Sequence, residues 1–191
     1  MTHPFERWPR SRRRLALIVV ICAAILPLVL SAATTPLAEN EPGGRSIIDF
    51  ELAGSVGDAK EILATWRAAD VIDDAKAIQL FDIVFPLIYC SALAGACVAA
   101  AGAWRRAGRA RFGNAGIAMA WVAFAGAVFD YIENVGLAVS LWDEPASPWP
   151  QLAWGAAVLK FTATTLALLY ALTGVAAWLA RRRTTRPLAT P

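Results

Sequence analysis

Four ionisable residues, Asp82, Asp130, Glu133 and Lys160, lie inside long apolar stretches of the sequence. Acids and bases in such surroundings pair with one another, bind ions or relay protons, because a lone charge there is costly. Asp130, Glu133 and Asn134 are three and four residues apart, so they share one face of a helix. An isolated Asp or Lys at the centre of a membrane helix costs about 2.5–3.5 kcal/mol. We therefore expect these side chains to face one another.

The positions of these residues along their stretches predict that they meet at one level. Asp82, Glu133 and Lys160 lie about 22, 19 and 20 residues from the stretch ends near residues 104, 114 and 180. At 1.5 Å per residue, each lies roughly 30 Å from that end, with Asp130 about one turn deeper. The sequence thus predicts a cluster of three acids and one base where three helices pack together.

Further polar groups share these helices. Tyr89 lies two turns from Asp82, and Thr164 lies one turn from Lys160. Pro86 has no N–H to donate to the carbonyl of Asp82, so we expect an unpaired backbone oxygen beside the Asp82 side chain. The candidate binding residues are Asp82, Tyr89, Asp130, Glu133, Asn134, Lys160 and Thr164.

The apolar stretches are long enough to cross a membrane. They cover residues 15–33, 79–103, 115–141 and 152–180, and each reaches or exceeds the roughly 18 residues of a spanning helix. Hydrophobic residues make up 58% of the chain, and mean hydropathy is +0.49. Charged residues make up 17%, whereas soluble domains carry about 25% charged residues. The predicted fold is all-α: an integral membrane four-helix bundle with a short extracytoplasmic amphipathic helix.

Charge is distributed unevenly between the connecting segments. Thirteen of the 18 basic residues lie in the segments 1–14, 104–114 and 181–191. The segments 34–78 and 142–151 hold acids in excess. The positive-inside rule then predicts a multi-pass membrane protein with both termini in the cytoplasm. The basic runs are short and each borders a span, so we do not expect nucleic acid to bind them.

The first span, 15–33, has two interpretations. Its arginine-rich start, apolar middle and small-residue end also suit a secretory signal peptide cleaved after Ala33. About 19 apolar residues after a basic region suit a permanent signal-anchor, which is the interpretation we favour. If the segment is cleaved, three spans remain and the new N-terminus lies outside.

The extracytoplasmic segment 34–78 is predicted to form a cap. Apolar and acidic residues alternate over 48–52, which predicts a short extended segment. Ser55 and Asp58 resemble a helix-capping pair, and the apolar residues behind them predict an amphipathic helix over 56–67. Since no clear breaker follows, residues 71–103 are predicted to form one continuous helix of roughly 50 Å.

Several functional classes are disfavoured by the residues present. His3 is the only histidine, which argues against bis-histidine haem, a histidine zinc site and a Ser-His-Asp triad. There is no P-loop or dinucleotide-binding fingerprint. We therefore expect no enzyme, no cofactor and no metal.

The segment "IDFELAG…AKEILATW…LFD", followed by "FDYIEN", resembles a family of small, uncharacterised bacterial four-span membrane proteins. In them a FELA-type segment precedes the second span and a D-x-x-E-N motif lies in the third. The resemblance covers most of 46–141. It implies four spans in a bacterial inner membrane and a shared polar core around Asp82, Asp130, Glu133 and Asn134. It implies no activity.

The favoured function is a non-enzymatic membrane protein whose cluster clamps the bundle. The cluster could also form an outward-facing site for a lipid headgroup, a small cation or a polar metabolite. The alternative is a proton- or ion-linked small transporter subunit; catalysis is the least favoured interpretation. The expected partners are membrane lipid, an unidentified small ligand and further copies of the chain, since one small bundle leaves little room for a transport pathway.

Overall fold

The computed structural model describes residues 2–7, 35, 37 and 44–184, and the side chains of the last helix as far as Gly174. Within these residues the regular structure is entirely helical. A short 3₁₀ turn covers Pro4–Arg7. Six α-helices follow: α1 (Ile47–Glu51), α2 (Val56–Ala68), α3 (Ile72–Phe81), α4 (Phe85–Arg106), α5 (Ala110–Trp142) and α6 (Trp149–Thr184).

Three of these helices are long and apolar enough to cross a membrane. The candidate spans are Phe85–Arg106, Ala110–Trp142 and Trp149–Gly174, within α4, α5 and α6. Their length and composition are those of membrane-spanning helices and indicate a membrane protein. The predicted first span, 15–33, lies outside the described residues, so the four-helix arrangement stays a prediction.

The three long helices pack against one another in a bundle, and each contacts the other two. Small residues make this close approach possible. A side chain at Gly116 would overlap the ring of Tyr170, and one at Gly174 would overlap Ala100. Lipid tails are as apolar as the helices, so the hydrophobic effect does not drive membrane helices together. Small residues at contact positions instead let the backbones approach closely, and the resulting van der Waals contacts hold the helices together.

Helices α1 and α2 cover the end of the bundle at which α5 connects to α6, which we term the cap end. Phe50, Leu63 and Trp66 form a buried core there with Leu137 and Leu141 of α5. The indole N–H of Trp66 donates to the carbonyl of Arg45 at 2.9 Å, which satisfies its one polar group. The opposite end, where α4 connects to α5, carries the arginine-rich loop, and we term it the basic end.

The extended segment predicted over 48–52 is wrong. Residues Ile47–Glu51 form α1, with a capping box at Ser46. The Ser46 hydroxyl accepts from the amide of Asp49 at 3.2 Å, and the Asp49 carboxylate accepts from the amide of Ser46 at 2.7 Å. Over five residues, one face of a helix and an alternating strand give similar apolar patterns. The local capping hydrogen bonds decide between them.

A single helix over 71–103 is also wrong. The chain leaves the helix after Phe81 and re-enters it at Phe85, with Pro86 in the first turn of α4. Proline removes a donor and its ring clashes with the carbonyl four residues earlier, so the helix is interrupted before it. The apolar span therefore begins at Phe85, and Asp82 lies in the turn before it. A helix at Val56–Ala68, with Ser55 at its N-cap, occupies the stretch predicted over 56–67.

Candidate functional site

Lys160 of α6 lies at the centre of a buried polar cluster at the cap end. Its Nζ is 2.9 Å from Oε1 and 2.8 Å from Oε2 of Glu133 on α5. It is also 3.2 Å from Oε2 of Glu51 on α1 and 3.8 Å from Oδ1 of Asp130. None of these four side chains is more than 8% exposed. One ammonium group thus contacts three carboxylates in a water-poor site, where ion pairing is needed to offset desolvation.

Asp130 extends the cluster toward α4. The Tyr89 hydroxyl donates to Oδ2 of Asp130 at 2.5 Å, and the Asn134 amide donates to Oδ1 at 3.3 Å. The Asn134 side-chain oxygen accepts from Nε2 of Gln79 at 2.8 Å. The hydrogen bonds run from α3 through α5 to α4, so one connected network ties these helices to the ion pairs of Lys160.

The backbone oxygen of Asp82 joins this network. It accepts a hydrogen bond from Nδ2 of Asn134 at 3.1 Å. Pro86 cannot donate to that carbonyl, so the oxygen left bare by the proline finds a side-chain donor on another helix, in agreement with the sequence argument. Asp82 therefore contributes its backbone oxygen to the network. Its half-buried carboxylate lies close enough to Asp130 to interact with it electrostatically.

Thr164 is not brought into the network. Its hydroxyl donates to the carbonyl of Lys160 at 2.9 Å, one turn back on α6. Its methyl group packs toward Gly126 of α5, where an added side chain would meet it at 3.1 Å. Thr164 thus contributes to the contact between α5 and α6, at a position the sequence assigned to the site.

Two members of the cluster, Glu51 and Gln79, were missed from sequence. Glu51 lies in a segment predicted to be extended, on its polar side. The helical turn of α1 directs it inward to Lys160 instead. Gln79 carries no formal charge, so the search for ionisable residues passed over it. Gln79 lies three residues, about one helical turn, before Asp82 in the sequence, and this spacing was the available indication.

The arrangement is a charge-assisted hydrogen-bond network with one base and three acids. In the part of the chain that the structure describes, no group of three or more His, Cys, Asp or Glu side chains is arranged to hold a metal ion. His3 lies at the basic end, against the rings of Trp121 and Phe124. What the cluster can do chemically is hold helices together, exchange protons, or receive a polar or charged group in place of one of its own contacts.

Comparison with protein-family models, with curated proteins and with solved structures finds no match to this chain. The resemblance to the four-span family therefore stays a prediction, carried by the residue patterns alone.

Proposed function

We propose that this chain is a non-enzymatic membrane protein whose polar cluster clamps the cap to the bundle and forms an outward-facing site for a lipid headgroup or a small polar ligand. The observation that carries the proposal is the position of Lys160. Its ammonium group contacts Glu51 of the cap and Glu133 of the bundle at once.

The clamp follows from the cost of separating these groups. Removing one partner of a buried ion pair leaves the other charge uncompensated, which costs about 3–5 kcal/mol. No basic residue lies between Lys76 and Arg105, and Lys160 is the only one between Arg111 and Arg181, so the long apolar helices offer no second cation to these acids. The ionic link between the cap and the helices α5 and α6 therefore depends on the Lys160 side chain.

The site follows from which partner belongs to the cap. Glu51 lies on the five-residue helix α1, whereas Glu133 and Asp130 lie on the long helix α5. When α1 moves away, Lys160 loses one carboxylate and the acids of α5 remain at the cap end. A headgroup or small molecule with both charge signs can then take the contacts that Glu51 gave up.

Replacement of Lys160 tests the clamp. We expect Lys160→Met to lower the melting temperature of the detergent-purified protein strongly, because three acids lose their shared counterion. Asp130→Asn keeps its hydrogen-bonding shape and should lower it less. Leu159→Met, at a neighbouring exposed position of α6, is the matched control and should melt like the wild type. Unchanged melting of Lys160→Met would refute the clamp.

Native mass spectrometry of the same proteins tests the site. We expect a bound lipid or small molecule on the wild type and on Leu159→Met. Loss of that mass from Asp130→Asn, in protein that remains folded, supports a site at the cluster. Equal retention by all three proteins would count against it.

Proton-linked transport is the second candidate, and the hydrogen bonds of Asp130 favour it. The chain Gln79–Asn134–Asp130–Tyr89 joins the cap end to a carboxylate within a candidate span. Proton relays through membranes use linked acids, and Lys160 links Asp130 to Glu133 and Glu51.

Proton flux into liposomes tests this candidate. With a pH-sensitive dye trapped inside, wild-type protein should dissipate an imposed pH gradient faster than empty liposomes. Asp130→Asn should abolish the difference, while Asp143→Asn, an exposed acid in the turn after α5, should not. A wild-type rate equal to that of empty liposomes contradicts transport of protons.

A further inference from the structure

We infer that the basic end of the bundle binds an anionic phospholipid, whose phosphate is held by Arg105 and its neighbouring arginines and whose acyl chain lies along Ile117 and Ala118. This surface is at the opposite end of the bundle from the polar cluster, so the inference is independent of the proposed function.

The cavity at this end is polar on one side and apolar on the other. It has a volume of about 340 Å³ and is lined by Arg105, Asn114, Ile117 and Ala118. Asn114 lies near the start of α5, and Ile117 and Ala118 follow about one turn, or roughly 5 Å, further into the span. The cavity therefore has the Arg105 cation and the Asn114 amide at the helix ends and an apolar surface deeper in the span. A phospholipid has its charged headgroup and its acyl chain in the same order.

Gly113 allows Arg105 to lie across α5. A side chain at Gly113 would overlap Cγ of Arg105 and would lie 3.1 Å from its Nε. In the space left by the glycine, Nη2 of Arg105 donates to the side-chain oxygen of Asn114 at 3.3 Å. The guanidinium is thus held at the mouth of the cavity, and its planar fork of donors suits phosphate oxygens.

The surroundings of the cavity are basic and aromatic. Arg106, Arg109 and Arg111 are exposed, and no acid occurs in the sequence between Asp82 and Asp130. The guanidinium of Arg109 lies 5.4 Å from the ring centre of Trp104. Arginines beside a span attract anionic headgroups, and tryptophan favours the headgroup level of a bilayer.

Glu6 is the acid that competes for this surface. Its Oε1 accepts from Nη1 of Arg105 at 2.7 Å, and this hydrogen bond is the main cause of its lowered pKa. Glu6 therefore remains a carboxylate at neutral pH. A guanidinium has five N–H donors, of which Glu6 and Asn114 take two. A phosphate adds to the remaining donors or displaces Glu6, so removal of Glu6 should strengthen lipid binding.

Lipid titration followed by native mass spectrometry tests the inference. The purified protein is titrated with phosphatidylglycerol and, separately, with phosphatidylcholine. We expect tighter binding of phosphatidylglycerol, weakened about fivefold by Arg105→Gln and by Arg109→Gln. Arg67→Gln, an exposed arginine of α2 at the cap end, carries the same charge change and should bind like the wild type. Glu6→Gln should bind more tightly.

A second pair of variants separates a site from general charge attraction. Ala118→Trp fills the apolar half of the cavity without a charge change and should weaken phosphatidylglycerol binding. Ala115→Trp, at an exposed position that does not line the cavity, is its control and should not. Equal affinity for the two lipids, an equal loss in Arg67→Gln, or no effect of Ala118→Trp would overturn the inference. If Arg105→Gln fails to fold, the Arg109 and Ala118 variants still decide.

Discussion

Lys160 contacts three carboxylates with a single positive charge, so the cluster holds more acid than base. Coulomb interactions are stronger in such buried surroundings than in water, so charges several ångströms apart still interact appreciably. Asp82 is close enough to be affected while lying outside the candidate spans. Burial chiefly, and the carboxylates of Asp130 and Glu51 further, raise the pKa of Asp82 to about 7, against the opposing effect of Lys160.

This raised pKa makes the stability of the protein fall as the pH rises. The folded state holds the Asp82 proton more tightly than the unfolded state, whose pKa is near 3.8. Stability is therefore greatest below about pH 4 in this respect and is lost as pH rises through about 7. We expect the melting temperature of Asp82→Asn to exceed that of the wild type at pH 8 by several degrees more than at pH 5.

The control for this prediction is Asp74→Asn, which removes an exposed acid in the first turn of α3. Its difference from the wild type should change little over the same pH range. Thermal melting in one detergent at both pH values provides the measurement. Parallel melting curves for Asp82→Asn and the wild type across this range would show that Asp82 titrates in its ordinary range.

At this scale the sequence predicted the types of residue in the cluster better than their contacts. Asp130, Glu133, Asn134 and Lys160 were found because polar residues at helical spacing are conspicuous among apolar ones. The buried Lys160–Glu133 pair follows from equal depth on two helices. The availability of the Asp82 carbonyl as an acceptor was predictable because Pro86 has no N–H to donate to it. The inward direction of Glu51 depends on tertiary packing against α5 and α6, which no local pattern contains.

Helix α1 is the element that links the cap to the cluster. It has only five residues, and isolated helices of that length are not stable in water. It depends on its capping box at Ser46 and on burial of Ile47 and Phe50 against the rest of the cap. The position of Glu51 at the last residue of α1 therefore depends on the hydrogen bonds that start the helix.

Removal of this cap should loosen α1 selectively. We expect Ser46→Ala to cost about 1 kcal/mol locally, which is roughly a fivefold faster exchange of the backbone amides of residues 50–53. Ser55→Ala removes the N-cap of α2 in the same way and is the matched control. It should speed exchange at the start of α2 and leave α1 protected. Hydrogen–deuterium exchange with peptide-level mass spectrometry distinguishes the two.

The opposite result has a clear meaning. If Ser46→Ala exchanges like the wild type over residues 50–53, the Glu51–Lys160 ion pair and the apolar contacts hold α1 without its cap.

Long, strongly apolar elements were predictable because length and composition suffice for them. The short α1 and the interruption before Pro86 were not, because a few hydrogen bonds and one missing donor decide them.

The whole molecule is polarised between its two ends. The cap end carries the acidic turns and the buried cluster, and the basic end carries Arg105, Arg106, Arg109 and Arg111. The 3₁₀ turn at Pro4–Arg7 lies at the basic end, where Glu6 pairs with Arg105. Helix α6 starts at the cap end and runs toward the basic end. Its last turns include Arg181, Arg182 and Arg183, which add positive charge to the basic end.

This polarity predicts the orientation of the protein in its membrane. Lys and Arg near span ends are retained in the cytoplasm, so we expect the basic end inside and the cap end outside. Ala110→Cys and Ala146→Cys place single cysteines at exposed positions of the two ends, in a chain without Cys22, Cys90 and Cys97. In intact spheroplasts a membrane-impermeant maleimide should label Ala146→Cys, and it should label Ala110→Cys only after permeabilisation. The reverse pattern would mean that the arginines face outward, and that an anionic lipid bound by Arg105 belongs to the outer leaflet.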